Sequence, residues 1–168
     1  ALNARTPFWS ADSRFIGFFA DGKLKTVSAI GGPAKELCPG TGLGRGGAWN
    51  TNGDILFGSE TGPMRRVSSN GGPCVEVLTK KANLSIGFPE FMPDGKHFIY
   101  SGQLVGDADA RGVYTASLED VPQDELVGKK VLEDPSSAIY TESAGLKGGH
   151  LLFVRARILM AVRFDPAR

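Results

Sequence analysis

"PFWSADSRFIGFFADGKLKTVSAIGGPAKELC" occupies residues 7–38, and "GAWNTNGDILFGSETGPMRRVSSNGGPCVEVL" occupies residues 47–78. Laid over one another, Trp9 falls on Trp49 and Gly31-Gly32-Pro33 on Gly71-Gly72-Pro73, both at an offset of 40. Asp12-Ser13 falls on Asn52-Gly53, Val27 on Val67, and Phe18 comes near Phe57. A third copy reads "PEFMPDGKHFIYSG" (89–102), "GVYTASLED" (112–120) and "GKKVLED" (128–134), with Phe91 in the Trp place and Asp94-Gly95 at the turn. A weaker fourth reads "AIYTES" (138–143), "GGHLLFVR" (148–155) and "RILMAVRFD" (157–165).

Each unit has one internal grammar. An aromatic-ended run leads to an Asn/Asp/Gly turn, where left-handed backbone is tolerated. A dense apolar strand follows, such as Phe15-Ile16-Gly17-Phe18, rich in strand formers. A third strand alternates with period two, Leu24, Thr26 and Ser28 against Lys25 and Val27. Gly-Gly-Pro then turns the chain into a polar fourth strand, where Lys35 and Leu37 alternate with Glu36 and Cys38. In the second copy Val75, Val77 and Leu78 of that strand are expected to pack. Four short antiparallel strands in about 40–45 residues make a propeller blade. A helical solenoid needs helix-period apolar stripes, which are absent. A β-sandwich does not repeat one four-strand sentence with the same turn chemistry.

The expectation is therefore an all-β protein, a β-propeller of about four blades. As one domain over 1–168, blade 1 covers about 7–40, blade 2 about 46–80, blade 3 about 88–134 and an incomplete blade 4 about 137–168. This predicts an open arc of a larger ring, or a ring completed by another chain. Open blade edges carry unpaired backbone groups, so either pairing with a second copy or aggregation is expected. The start Ala-Leu-Asn, without Met or a signal-like apolar run, reads as a cut from a longer polypeptide.

The "WSADSRFIGF", "MPDGKHFIY" and "GGP" sentences resemble the WD-like repeats of TolB-type β-propellers over nearly the whole chain. Their wording, with "RGGAWNTNGDILF" and "LLFVRARILMAVRFD", looks closer still to the propeller attached C-terminally to many bacterial serine/threonine protein kinases. The motif is specific for the fold and silent about activity. The chain has no GxGxxGxV loop, HRD or DFG. The resemblance thus implies a non-catalytic sensory or scaffolding module of a bacterial protein, compatible with an extracytoplasmic location that these residues do not themselves specify. Similar propellers also gate substrate to prolyl-oligopeptidase-type hydrolase domains, which is the alternative reading.

Composition narrows the partners. The 19 basic and 18 acidic residues leave a net charge of +1, so no nucleic acid partner is implied. No run of 18 apolar residues suggests membrane insertion. With 41% hydrophobic residues the chain can bury a core, and 23 glycines with 10 prolines favour turns and short strands over helices.

Candidate chemistry is sparse. "GTGLGRGGAW" (40–49) is glycine-rich, but a phosphate cradle needs a helix after it, and here a strand ending at Trp49 follows. His97 and His150 read as strand residues with satisfied hydrogen bonds. No Ser-His-Asp set or GxSxG elbow can be assembled. Asp107 and Asp109 in "GDADARG" lack the spacing of a calcium loop and read as a solvated loop. Cys38 and Cys74 do not align, since Cys74 falls on Ala34, and are expected to be free thiols. Trp9, Trp49 and Phe91 are expected to pack between adjacent blades. No metal and no cofactor is implied. A protein, peptide or small-molecule ligand is expected on the rim built by the D–A and B–C loops, at Thr41, Arg45, Lys81, Asn83, Ser85, Asp107, Arg111 and Ser136.

Overall fold

A computed structural model describes residues 2–60, 62–78, 84–104, 107–119, 128–134, 136–143 and 148–166. Among these residues every regular element is a strand. β1 (Arg5–Trp9), β2 (Phe15–Ala20), β3 (Lys23–Ser28) and β4 (Lys35–Cys38) form one antiparallel sheet in sequence order. β5 (Gly44–Trp49), β6 (Asp54–Ser59), β7 (Met64–Ser68) and β8 (Val75–Leu78) repeat it. β9 (Leu84–Phe91), β10 (His97–Leu104), β11 (Asp107–Ser117) and β12 (Lys129–Leu132) form the third unit. A single pair, Ser59↔Ile86, links its inner strand to β6. β13 (Ala138–Glu142), β14 (Gly149–Arg155) and β15 (Ile158–Phe164) form the fourth. The architecture is a β-propeller.

The turns explain why the wording repeats. Ser10 Oγ accepts the Arg14 and Phe15 backbone N–H groups at 3.1 and 2.9 Å and donates to Asp12 at 2.7 Å. Asn50 Oδ1 accepts Asn52 and Asp54 N–H at 3.0 and 2.8 Å, and Asp94 Oδ1 accepts Lys96 and His97 N–H at 2.9 Å each. A short polar side chain thus satisfies turn N–H groups at the first hairpin of each of the first three blades, beside backbone bonds such as Ser10 N–H to the Phe15 carbonyl at 2.9 Å. Gly31-Gly32 and Gly71-Gly72 have the same φ values, 96° and 116°, a conformation that residues with a Cβ rarely adopt.

Sheets stack face to face through three apolar joints. Phe8, Phe19, Leu24 and Cys38 of the first blade meet Ile55, Phe57 and Val67 of the second. Leu56, Met64 and Leu78 of the second meet Phe98 and Tyr100 of the third. Ile99 and Val113 of the third meet Leu151 and Phe153 of the fourth. The glycine-rich stretch belongs to the first joint: a Cβ at Gly44 would come within 2.1 Å of the Phe19 ring, and one at Gly47 within 2.4 Å of the Phe8 ring. These glycines let two aromatic rings lie on the backbone of β5.

Four expectations need correction. The outer strands do not alternate. Leu24 pairs Cys38 while Lys25 pairs Glu36, so Leu37 is an extra bulge residue. Leu37 and Cys38 are both buried, as are Val77 and Leu78, whereas Val75 is exposed. Cys38 and Cys74 are not free: they form a disulfide with Cα atoms 6.1 Å apart, within bridging range. Matching repeat positions are far apart, but the Gly-Gly-Pro turn of one blade lies beside the outer strand of the previous one. Lys35 Nζ donates to the Asn70 carbonyl there at 2.9 Å. Asp107 and Asp109 do not lie in a loop, because β11 starts at Asp107. Finally, Trp49 stacks on Phe15 of the preceding blade with centroids 6.1 Å apart and Phe91 packs on the second joint, but Trp9 is 58% exposed.

Candidate functional site

Two polar clusters form where inner strands meet the loops between blades. In the first, Arg45 and Ser85 each lie one residue inside the start of an inner strand, β5 and β9. Arg45 Nη1 donates to Ser85 Oγ at 2.5 Å, and its guanidinium carbon stands 5.2 Å from the Phe88 ring centroid. A Cβ at Gly87 would come within 2.6 Å of Arg45 Cβ, so the arginine stem lies directly on the β9 backbone. The Arg45 Nε is buried with no hydrogen-bond partner among the described residues. Phe88 has a φ of 51° and is 37% exposed. A bulky residue in the left-handed region is an outlier held there by its surroundings. Two residues further along β9, burial pushes the Glu90 carboxyl above its usual range.

The second cluster lies between the third and fourth blades. Arg155 Nε donates to Asp134 Oδ2 at 2.7 Å, and its guanidinium carbon sits 5.3 Å from the Phe153 centroid. Burial of Asp134 pushes its carboxyl up, but the Arg155 and Ser136 bonds outweigh this and hold it below the usual range. The Ser136 backbone N–H donates to Asp134 Oδ1 at 3.0 Å, and its carbonyl accepts Ser101 Oγ at 3.4 Å.

Of the eight rim residues, the structure brings Arg45 and Ser85 into contact and places Ser136 in the second cluster. Thr41 is buried; its backbone N–H donates to the Gly22 carbonyl at 2.8 Å, so it ties a loop to the neighbouring hairpin. Arg111 is an exposed residue of strand β11 rather than of a rim loop. Lys81 and Asn83 lie outside the described residues, as does the side chain of Asp107. His97 Nδ1 is 2.5 Å from Asp94 Oδ2, and His150 Nδ1 is 3.0 Å from Ser143 Oγ. Sequence reading missed Phe88, Asp134 and Arg155. Phe88 had a signal: it stands three residues before the repeat aromatic Phe91, as Thr6 does before Trp9 and Gly46 before Trp49, and all three have positive φ.

Chemically, an arginine backed by an exposed aromatic ring is suited to a carboxylate or phosphate, which its planar donors recognise as a fork. A wider cleft of about 760 Å³ opens elsewhere, along β12 and β15, lined by Lys129, Lys130, Arg163 and Asp165 among others. Lys130 there already donates to the Asp109 carbonyl.

No family model and no curated protein matches the sequence. Solved structures do. The structure of TolB from Agrobacterium tumefaciens matches at 19% identity and a TM-score of 0.53, over 81% of this chain and 55% of that one. Virginiamycin B lyase from Staphylococcus aureus matches at 17% identity and a TM-score of 0.61, over 98% of this chain and 53% of that one. A prolyl endopeptidase matches at 17% identity and a TM-score of 0.62, over 98% of this chain but 26% of its own. The chain spans about half the length of the first two, and at these identities the likeness is one of fold: TolB-like and other β-propellers.

Proposed function

We propose that this chain is a non-catalytic binding module that takes a protein, peptide or small-molecule ligand on the rim where Arg45 and Ser85 lie. The observation that carries the reading is the meeting of Arg45, Ser85 and the strained, part-exposed Phe88 from the inner strands of two blades. On the resemblance of its repeats, the module is the sensory or scaffolding part of a larger bacterial protein such as a serine/threonine kinase. A thermal-shift screen against acidic peptides and small dicarboxylates tests the binding role. Hits are expected to raise the melting temperature of the wild type and to lose at least tenfold in affinity in Arg45→Ala. A variant that melts several degrees lower while binding as before makes Arg45 a structural bridge and overturns the assignment.

The likeness to a prolyl endopeptidase over 98% of this chain favours a second reading, a propeller that gates substrate to a hydrolase domain. The flanking coding sequence separates the two: a kinase domain before residue 1, or a GxSxG hydrolase domain after residue 168.

A further inference from the structure

The residue after each repeat aromatic decides whether the mouth of a joint is closed. In the second blade that residue is Asn50. It is buried, and its Nδ2 crosses to the first hairpin of the third blade, donating to the Gly95 carbonyl at 2.8 Å. In the third blade it is Met92, buried in the joint with the fourth. In the first blade it is Ser10, whose short side chain is committed to its own turn, on the Arg14 and Phe15 N–H groups and on Asp12. Register defines a second position at the same mouth. Trp9 pairs Ile16, Trp49 pairs Ile55 and Phe91 pairs Phe98, so Phe15, Asp54 and His97 each stand one residue before the partner. The second and third blades place a polar side chain there, whereas the first places a phenylalanine that is 39% exposed.

These two departures meet at an open groove of about 320 Å³ between the first hairpins of the first and second blades, at the small end of the ~300–1,000 Å³ range of ligand sites. Phe15 and Trp49, ring centroids 6.1 Å apart, form its apolar wall. Asp12, Thr51 and Ser69 form its polar margin, and Asp12 is the one charged residue that lines it. Asp12 Oδ1 accepts the Ser10 hydroxyl at 2.7 Å and the Arg14 N–H at 3.0 Å. These bonds, with the Arg14 charge adding to them, hold the carboxyl below its usual range. They leave Oδ2 without a hydrogen bond among the described residues. Trp49 ends β5 whereas Arg45 lies near its start, so the groove opens on the rim opposite the Arg45 site and stands independently of it.

We infer that this groove is a second binding site, for a lysine or arginine side chain of a partner polypeptide. The cationic head meets Asp12 Oδ2, and the aliphatic stem lies along Phe15 and Trp49, whose ring faces also attract the charge. An anionic ligand is disfavoured, because it brings a like charge to Asp12. The Thr51 and Ser69 hydroxyls lie at the margin, where the backbone carrying the side chain runs, and this favours a polypeptide over a free amine.

A heteronuclear NMR titration of the protein tests this through the Trp49 indole N–H, with Trp9, the chain's other tryptophan, as internal control. Acetyl-Gly-Lys-Gly-amide should shift the Trp49 signal saturably and leave Trp9 in place. The same peptide with norleucine for lysine keeps the stem, removes the charge and should bind about fivefold more weakly. Asp12→Asn keeps an oxygen for the Ser10 and Arg14 bonds and should weaken the lysine peptide by about three- to fivefold. Ser10→Asn supplies the bridge that Asn50 makes and should close the groove, so that the shift disappears while the β circular-dichroism signal stays; it serves where Asp12→Asn fails to fold. No saturable Trp49 shift, equal shifts of both indoles, equal binding of the norleucine peptide, or binding unchanged in the variants overturns the inference. n-Butylamine, the side chain without a backbone, should bind more weakly than the peptide; equal binding means a free amine ligand and overturns the polypeptide partner.

Discussion

Reducing the Cys38–Cys74 bond should lower the melting temperature by roughly 8–15 °C. The bond spans 36 residues. In the chain-entropy treatment, a loop of that size in the unfolded chain corresponds to about 4 kcal/mol. A chain of 168 residues shifts by about 2–4 °C per kcal/mol, which sets the range. The native state gives little of this back, because the bond joins an outer strand to the turn of the next blade and Cys38 is packed among Phe19, Leu24, Ile55 and Val67. The assay is differential scanning fluorimetry with and without a phosphine reductant, alongside a Cys38→Ala/Cys74→Ala double variant. The double variant should melt low in both buffers and show no reductant shift. Thiol titration of the unreacted protein in denaturant should find none. Two titratable thiols in aerobically purified protein, or a reductant shift under two degrees, would refute the reasoning.

Ser13 has a φ of 58° at the turn position where Gly53 and Gly95 stand in the next two blades. Ser13→Gly should therefore raise stability by about 0.5–1 kcal/mol, read as a shift of the denaturant midpoint. Gly44→Ala brings a methyl group within 2.1 Å of the buried Phe19 ring and should cost about 2–3 kcal/mol by the same measure; an unchanged midpoint means β5 does not lie on that ring. Burial raises the Glu90 pKa in the folded chain above its ordinary 4.5. Its protonated form is thus favoured on folding, so its contribution is full below the unfolded pKa and is lost as pH rises through the folded pKa. Glu90→Gln should raise the melting temperature at pH 7 and leave it unchanged near pH 4; a variant that melts lower at pH 7 would show that the carboxylate has a stabilising partner.

The blade pattern was legible because it is written in local chemistry. The Gly-Gly-Pro turns, the Ser10, Asn50 and Asp94 hairpins and the aromatic-ended inner strands each report on their own few residues, and the copies agree. What was illegible depends on neighbours distant in sequence. Period-two reading put Leu37 and Cys38 on opposite faces, but a register shift against β3 buries both. Alignment of repeats compares equivalent positions, whereas Cys38 meets Cys74, a position one blade on. The candidate site divides the same way. Arg45 and Ser85 stood out as polar residues of the loops expected on one rim. Their contact, and the part of Phe88 in it, rest on how closely β5 approaches β9 at Gly87.

That approach follows from one backbone device. In β1 the register shifts between Arg5 and Phe8, in β5 between Gly44 and Gly47, and against β9 between Ile99 and Ser101. Thr6, Gly46 and Phe88, three residues before each aromatic, take the left-handed conformation that accompanies the shift. A bulge bends its strand and re-aims a side chain. β13 pairs β14 without interruption, so the fourth blade lacks the bend. Where packing alone is required, glycine meets the demand without a Cβ clash, as Gly46 does at a φ of 74°. Retaining Thr6 and Phe88 at such positions costs about 1–3 kcal/mol each. For Phe88 the return is visible: its ring is part-exposed and stacked against the Arg45 guanidinium. Phe88→Gly separates the roles, since relief of strain raises stability while loss of the ring lowers ligand affinity. A variant that gains stability and binds unchanged removes Phe88 from the site and leaves the bulge a purely structural bend.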